Sequence, residues 1–354
     1  MSDVARVLVL HTGGTIGMRD GPRGFAPARG ALEQELLRLT PLCDPSEPRF
    51  TTARFEDGTR VRYDVIESDP LLDSANLDLS HWARFARDIA EHYDAYDGFV
   101  LLHGTDTMSY TASALSFLLE NLAKPVVLTG SQIPLARVRS DGMDNLLTAL
   151  WIAARSRLPE VVLAFHHRVL RGNRSTKRDA AGFGAFDSPN HPPLAEAGVA
   201  LRVHRDEALP MPTGPFRVST ALSPNVAALR LYPGITREIL ENFLRPPLEG
   251  LVLETYGTGN APDARRDLLD VIEAATARGL IVLNVTQCFK GSVSAAYQAG
   301  RALADAGVLP GADLTPEAAL TKLCWLLGDP ALSRDDVRRL VITPCRGEMT
   351  LATP

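Results

Sequence analysis

The sequence predicts an α/β protein, with a large amino-terminal domain built on a parallel sheet and a smaller α/β domain after it. Three observations carry this expectation. Short apolar or β-branched runs, such as VLVL at 7–10 and VVL at 126–128, alternate with segments of helical period, the pattern of strands joined by covering helices. The chain has 354 residues, 45% of them hydrophobic, which exceeds what a single core usually supports. Between Arg205 and Pro215 it reads RDEALPMPTGP, a stretch rich in proline and without amphipathic period. Residues 1–207 are therefore expected to form one domain, 208–217 a linker and 218–354 the second domain.

Taken in order, strands are expected at 4–10, 98–102, 125–128 and 160–165, and in the second domain at 250–253 and 280–284. The segment SHWARFARDIAEHY places Trp82, Phe85, Ala86, Ile89 and Tyr93 at three- and four-residue steps. That spacing predicts a helix with one apolar face, and Ser80 is the expected N-cap. From Met108 the same logic runs through Thr111, Ala112, Leu115, Leu118 and Leu122, and Pro125 stops it. No internal repeat, heptad or low-complexity tract interrupts the pattern.

Composition excludes several classes. Acidic residues outnumber basic ones 42 to 37, for a net charge of -5, and no run of five Lys or Arg occurs, so nucleic acid and anionic membrane are not expected partners. No apolar run approaches the roughly 18 residues of a membrane-spanning helix. Asp3 and Arg6 flank the first apolar stretch without a cleavage signal after it, and no export is expected. Cys43, Cys288, Cys324 and Cys345 lack any ligand spacing and read as free thiols of a reducing compartment. His166 and His167, taken as neighbours on a strand, would point to opposite faces and form no paired metal site.

The chemistry concentrates at strand ends. In VLVLHTGGTIGMRDG, residues 7–21, an apolar strand runs into two glycines between two threonines. At the carboxyl end of a parallel strand, Gly13 and Gly14 would bring backbone N–H groups close to a ligand. Thr15 would offer a hydroxyl able to attack an acyl carbon once a base takes its proton. A structural turn would look similar, as would a phosphate loop, although the G-x-x-x-x-G-K-[ST] frame is missing. The stretch GFVLLHGTDTMSYTASAL, residues 98–115, repeats the anatomy with Thr105 and Asp106. The carboxylate there suits either a helix cap or a counter-ion for a ligand amine, and His103 is placed to orient the turn. RGNRSTK, residues 171–177, ends in Lys177, which is either a solvated loop cation or, beside a cleft, a proton acceptor for a threonine. Spacing alone leaves these alternatives open.

TGGTIGM, PLLDSANL, HGTDTMSYTASALSFLLENL, PVVLTGSQIPL, RSDGMDNLLTAL and RGNRSTK, followed by YGTGNAP, VTQC and RGEMT, together resemble the cytoplasmic type I L-asparaginases. The likeness covers the chain almost from end to end. It implies hydrolysis of L-asparagine to L-aspartate and ammonia by double displacement through an acyl-enzyme, with no metal or organic cofactor, in a homodimer or dimer of dimers. It also implies that Thr15 is the nucleophile and that Thr105, Asp106 and Lys177 form the second catalytic set, with backbone N–H groups near Thr105 stabilising the oxyanion. Substrate recognition falls on Asp73 and Ser74, with Thr105 and Asp106. Asp73 and Asp106 suit the ammonium of an α-amino acid, and Ser74 its carboxylate. Ser131 stands where the family sets a backbone carbonyl against the side-chain amide.

Two positions depart from the pattern. Many type I members carry a tyrosine about ten residues after the nucleophile, in the loop over the site, and this chain has Phe25, which cannot move a proton. Tyr297, in GSVSAAYQAG, is the expected replacement, supplied from the smaller domain and allowed by the family's assembly to come from a neighbouring subunit; Tyr63 is the weaker candidate. Some members bind a second asparagine at a site that includes an arginine of R-S-Y-G. Here ETYG supplies Glu254, which should repel the effector carboxylate and leave Thr176, Thr286 and Cys288 without that role. Two other classes share the threonine signatures. One is the asparaginase-like subunit of a tRNA-dependent amidotransferase, which would carry an extra amino-terminal domain. The other is a non-enzymatic amino-acid sensor, suggested only by Phe25.

Overall fold

The computed structural model describes residues 4–21, 24–293 and 298–351. Tyr297 lies outside the described residues. The chain divides into two units, 1–220 and 221–354.

In chain order the first unit contains β1 (Ala5–Gly13), β2 (Met18–Gly21), β3 (Gly24–Pro27), α1 (Ala31–Leu36), β4 (Val61–Leu72), α2 (Leu79–Glu91), β5 (Gly98–Leu102) and α3 (Met108–Leu118). It continues through β6 (Leu119–Glu120), β7 (Val126–Thr129), α4 (Gly142–Arg155), β8 (Val161–Phe165), β9 (Arg168–Arg171), β10 (Thr176–Lys177), β11 (Phe186–Asp187), β12 (Ala195–Ala197), β13 (Leu201–Val203) and β14 (Arg217–Val218). The main sheet has eight strands in the order β13-β12-β9-β8-β7-β5-β1-β4. From β4 to β8 neighbouring strands are parallel, and from β8 to β13 they are antiparallel.

This order fixes where a ligand can sit. After β1 the chain adds β4 on one side, returns across β1 to add β5 on the other, and continues outward to β7 and β8. The strand order therefore reverses between β1 and β5, and a doubly wound sheet opens a crevice at such a point, outside the carboxyl ends of the strands. Val7, Val9, Val100, Leu102, Val127 and Val162 bury one face of the sheet with Leu146, Leu150 and Ala153 of α4. The alternate residues Leu8, Phe99, Leu101 and Leu128 are equally buried, so both faces are covered. Each such side chain contributes about 1.5–3 kcal/mol.

Several expected details change. β4 had no expected counterpart, because Arg62, Asp64 and Glu67 break its apolar pattern on the edge of the sheet. The N-cap of α2 is Asp78, not Ser80: its carboxylate accepts from the Ser80 and His81 backbones in a capping box, and the Ser80 hydroxyl donates to it at 2.5 Å. α3 ends at Leu118 rather than Leu122, because residues 119 and 120 leave the helix to pair with β14. That pairing, and the stacking of Phe216 on Tyr93 at 3.7 Å between ring centroids, hold 216–218 in the first unit. The division accordingly falls beyond the expected linker at 208–217. His166 and His167 occupy the two-residue turn between β8 and β9 with φ of +46° and +65°, the left-handed pair that hairpin twist favours. Their rings lie 5.0 Å apart, not on opposite faces of a strand.

The second unit contains β15 (Val226–Arg230), α5 (Arg237–Phe243), β16 (Gly250–Thr255), α6 (Arg266–Ala277), β17 (Ile281–Thr286), α7 (Gln298–Asp305), β18 (Leu309–Pro310), α8 (Pro316–Gly328) and α9 (Arg334–Val341). Its four strands pair in sequence order, all parallel. α8 is pinned to the carboxyl-terminal segment by a fully buried pair, Lys322 Nζ to Glu348 Oε1 at 2.6 Å. The four cysteines are free thiols. Among the described residues no helix is long and apolar enough to cross a membrane.

Candidate active site

Glycine decides how closely the strand-end loops approach. Gly14 has φ +84° and ψ 172°, a region that side-chain-bearing residues essentially never occupy. A Cβ there would lie 2.4 Å from the Gly104 backbone nitrogen, and one on Gly104 would lie 2.4 Å from Ser74 Oγ. The turns after β1 and β5 are thus packed backbone to backbone, and the Ser74 side chain of the turn after β4 lies directly against Gly104. Thr15, Thr105 and the Asp73–Ser74 pair are gathered at the point where the strand order reverses. Thr15 begins a short 3₁₀ turn, Thr15–Gly17, and is half-buried.

Lys177 reaches this place because β10 pairs with β11, with Lys177 opposite Phe186. Its Nζ donates to Thr105 Oγ1 at 2.8 Å and to Asp106 Oδ1 at 2.7 Å. The lysine is mostly buried and the carboxylate is exposed. Asp106 does not cap α3: the N-cap is Thr107, whose side chain donates to Ser74 O at 2.8 Å instead of capping the helix, and the Asp106 carboxylate pairs with Lys177.

A residue not singled out in the sequence completes the cluster. Thr105 Oγ1 donates to Gln132 Oε1 at 3.2 Å. Gln132 Nε2 donates to the Gly182 and Ala180 carbonyls at 3.0 and 3.4 Å, which fixes the amide with its oxygen toward Thr105. The Thr105 hydroxyl therefore accepts from Lys177 and gives its proton to Gln132, and its second lone pair faces neither. The only sequence signal for Gln132 is its position just after β7.

His103 holds the turn from behind. Trp82 Nε1 can only donate, and it donates to Thr111 Oγ1 at 3.0 Å. Thr111 then donates to His103 Nε2 at 2.9 Å, and Nδ1–H donates to Gly104 O at 2.7 Å. Burial pushes the pKa of His103 down to about 4, so the imidazole is neutral and the chain of bonds has one direction. This agrees with an orienting role.

The other expected residues are placed as follows. Asp73 is exposed, and its Oδ1 accepts from Ala75 N at 3.1 Å. Ser74 is buried against Gly104. Ser131 is buried, and its hydroxyl has no hydrogen-bond partner among the described residues. Tyr63 is not in the site: it is buried in the sheet core and donates to Leu42 O at 3.0 Å, because its register on β4 turns it inward. Phe25 lies on the β2–β3 hairpin, half exposed, with the Arg137 guanidinium 5.3 Å from its ring centroid. Arg137 also bonds Asp20 on the same hairpin at 2.7 Å. In the second unit Glu254 pairs with Arg230 at 3.7 Å, and Thr286 donates to Gly257 O. Among the described residues no cluster of three His, Cys, Asp or Glu is placed to hold a metal ion.

Fold and site describe a two-unit α/β protein that sets threonine hydroxyls, a lysine and a carboxylate at the reversal point of a doubly wound sheet. The chain belongs to the asparaginase/glutaminase family: residues 6–209 match the family described as "Asparaginase, N-terminal", and residues 225–341 match "Glutaminase/Asparaginase C-terminal domain". It is 46% identical to L-asparaginase 1 of Escherichia coli over 345 residues, 97% of this chain and 98% of that protein. It is 44% identical to the 60 kDa lysophospholipase of Mus musculus over 361 residues, 99% of this chain and 64% of that longer protein. The crystal structure of L-asparaginase I from Vibrio cholerae superposes with a TM-score of 0.87 at 45% identity, covering 98% of this chain and 99% of that one. The α/β fold and the family resemblance read from the sequence both hold.

Proposed function

We propose that this chain hydrolyses the side-chain amide of L-asparagine, giving L-aspartate and ammonia through an ester on Thr15. The observation that carries the reading is Lys177 Nζ, which bonds Thr105 Oγ1 and Asp106 Oδ1 together beside the turn that bears Thr15. In the first displacement the Thr15 oxygen bonds to the amide carbon, its proton goes to the departing nitrogen, and the C–N bond breaks to release ammonia. In the second, water attacks the ester carbon while Thr105 Oγ1 accepts its proton, and the ester C–O bond breaks to release L-aspartate and return Thr15 as a hydroxyl. Thr105 makes room for that proton by turning its hydroxyl from Gln132 to Lys177, which takes the threonine's proton as its own Nζ–H passes to Asp106 Oδ1, 2.7 Å away; the relay runs back to reprotonate Thr15. Backbone N–H groups of the closely packed turns serve the oxyanion, a contribution of roughly 3–4 kcal/mol for one donor. Asp73 and Asp106 take the substrate ammonium, Ser74 its carboxylate, and the backbone at Ser131 its side-chain amide. Tyr297 is assigned the hydroxyl that Phe25 lacks. The same reading includes a cytoplasmic location and a dimer or dimer of dimers, which light scattering would count.

The test is ammonia release from L-asparagine by wild type, Thr15→Ala, Lys177→Met and Tyr297→Phe, with folding checked by circular dichroism. Turnover by wild type, none by Thr15→Ala, and a loss of about a thousandfold in Lys177→Met, the scale of one positioned proton-transfer group, support the reading. Binding of asparagine without ammonia release by wild type overturns it in favour of a sensor. Full activity in Tyr297→Phe removes that residue from the mechanism.

A further inference from the structure

His11 and Glu67 stand opposite one another on β1 and β4, and neither belongs to the cluster described above. His11 is buried, and its Nδ1 lies 3.2 Å from Glu67 Oε1. Burial lowers the pKa of the imidazole, against the opposing effect of Glu67. A neutral ring facing a carboxylate carries its proton on Nδ1, and the opposite edge of the ring is turned to Gly17. A Cβ on Gly17 would lie 2.6 Å from both His11 Cε1 and His11 Nε2, and 3.6 Å from Leu32 Cβ of α1. The imidazole edge is therefore the floor on which the Thr15–Gly17 turn rests.

The other end of the pair reaches the far side of the same loop. Glu67 Oε2 accepts from Gly30 N at 2.9 Å, where the chain leaves the β2–β3 hairpin and enters α1. The hairpin of residues 18–27 departs from Gly17 and returns just before Gly30, so one pair of side chains touches both of its ends. It also underlies the turn that begins with Thr15.

We propose that His11 and Glu67 are positioning residues for the reaction: acting as one strut, they fix the Thr15 turn together with both ends of the 18–27 hairpin. This rests on the asparaginase reading for its effect on rate, but not for its effect on the hairpin. His11→Leu fills most of the ring's volume and removes the bond to Glu67. His11→Asn keeps a donor where Nδ1 stood, and Glu67→Ala releases Gly30.

The experiment combines kinetics with hydrogen exchange on purified protein. His11→Leu and Glu67→Ala should each lower kcat/KM roughly ten- to hundred-fold, the cost of about an ångström of misplacement. The double variant should fall no further than the worse single one, because the two act together. His11→Asn should recover part of the loss. Exchange at the backbone amides of 18–21 and 24–26 should quicken in both single variants, a readout that a role confined to core stability would leave in step with the rest of the unit. Additive kinetic losses, or hairpin exchange unchanged in the folded variants, overturn the proposal. If His11→Leu does not fold, His11→Asn and Glu67→Gln carry the same two readouts. Wild type that releases no ammonia fails the asparaginase reading, and hydrogen exchange still decides the strut.

Discussion

Replacing Gly14 by alanine separates the approach of the two threonine turns from every other property of the protein. Its φ of +84° and ψ of 172° cost a residue with a side chain about 1–3 kcal/mol, and forcing a methyl into a packed contact adds about 1–3 kcal/mol. The contact itself sets the displacement: the new Cβ would lie 2.4 Å from Gly104 N, and ordinary contact begins at 3.4 Å. The β1 and β5 turns must therefore part by about 1 Å, which in a site that depends on near-attack geometry costs about a hundredfold in rate. The assay is ammonia release, as kcat and KM, at a temperature where far-ultraviolet circular dichroism shows the variant folded, with urea unfolding for stability. Gly58→Ala is the control, since Gly58 also has positive φ, +78°, but nothing within 4 Å of an added Cβ. A folded Gly14→Ala protein with kcat/KM within threefold of wild type, or no lower than that of Gly58→Ala, would refute the argument that these loops are held at a catalytic distance.

Four further outcomes are expected. Gln132→Met keeps the length of the side chain but gives Thr105 no acceptor and leaves the Gly182 carbonyl without its donor; kcat should fall roughly tenfold or more with KM little changed, and a change confined to KM would contradict the assignment. Glu160→Gln leaves Arg171 as a buried cation, having lost the carboxylate that bonds its Nε at 2.6 Å and also accepts from Leu209 N at 2.8 Å; unfolding stability should drop by about 3–5 kcal/mol, and a drop below 1 kcal/mol would show the pair to be dispensable. His103 stays neutral in the folded chain down to about pH 4, while a free imidazole titrates near 6.5. Its stabilising contribution is therefore complete above about pH 6.5 and lost as the pH falls toward 4, about 3 kcal/mol in all; urea midpoints of wild type against His103→Asn should converge across that window, and parallel pH profiles would refute it. With Glu254 paired to Arg230, velocity against asparagine concentration should be hyperbolic, and clear sigmoidicity would overturn the expectation that effector binding is weak or absent.

The α/β class and its two-domain scale were legible because strand runs such as 98–102 are buried on both faces, and so stay apolar along their whole length. β4 was not, since an edge strand can carry Arg62, Asp64 and Glu67 without breaking its hydrogen bonds. The stretches bearing Thr15, Thr105 and Lys177 could be read for a similar local reason. Glycine beside threonine at a strand end narrows the reading to a tight turn, a phosphate loop or a nucleophile, and the family resemblance chose among them.

Gln132, His11 and Tyr63 carried no such local signature. An amide becomes a proton acceptor for Thr105 only when the Ala180 and Gly182 carbonyls hold its other end, contacts some fifty residues away in the chain. A histidine becomes the floor of a turn only when β1 and β4 pair in register and bring Glu67 opposite it. Tyr63 has the same hydroxyl as any candidate, and it was the inward direction of its side chain on β4 that took it to Leu42 in the core. Periodicity and residue type thus determine the elements and the reactive groups at their ends, because both are set within a few residues. Which of those groups meet, and in which direction each proton points, depends on strand order and register, which only the folded sheet decides.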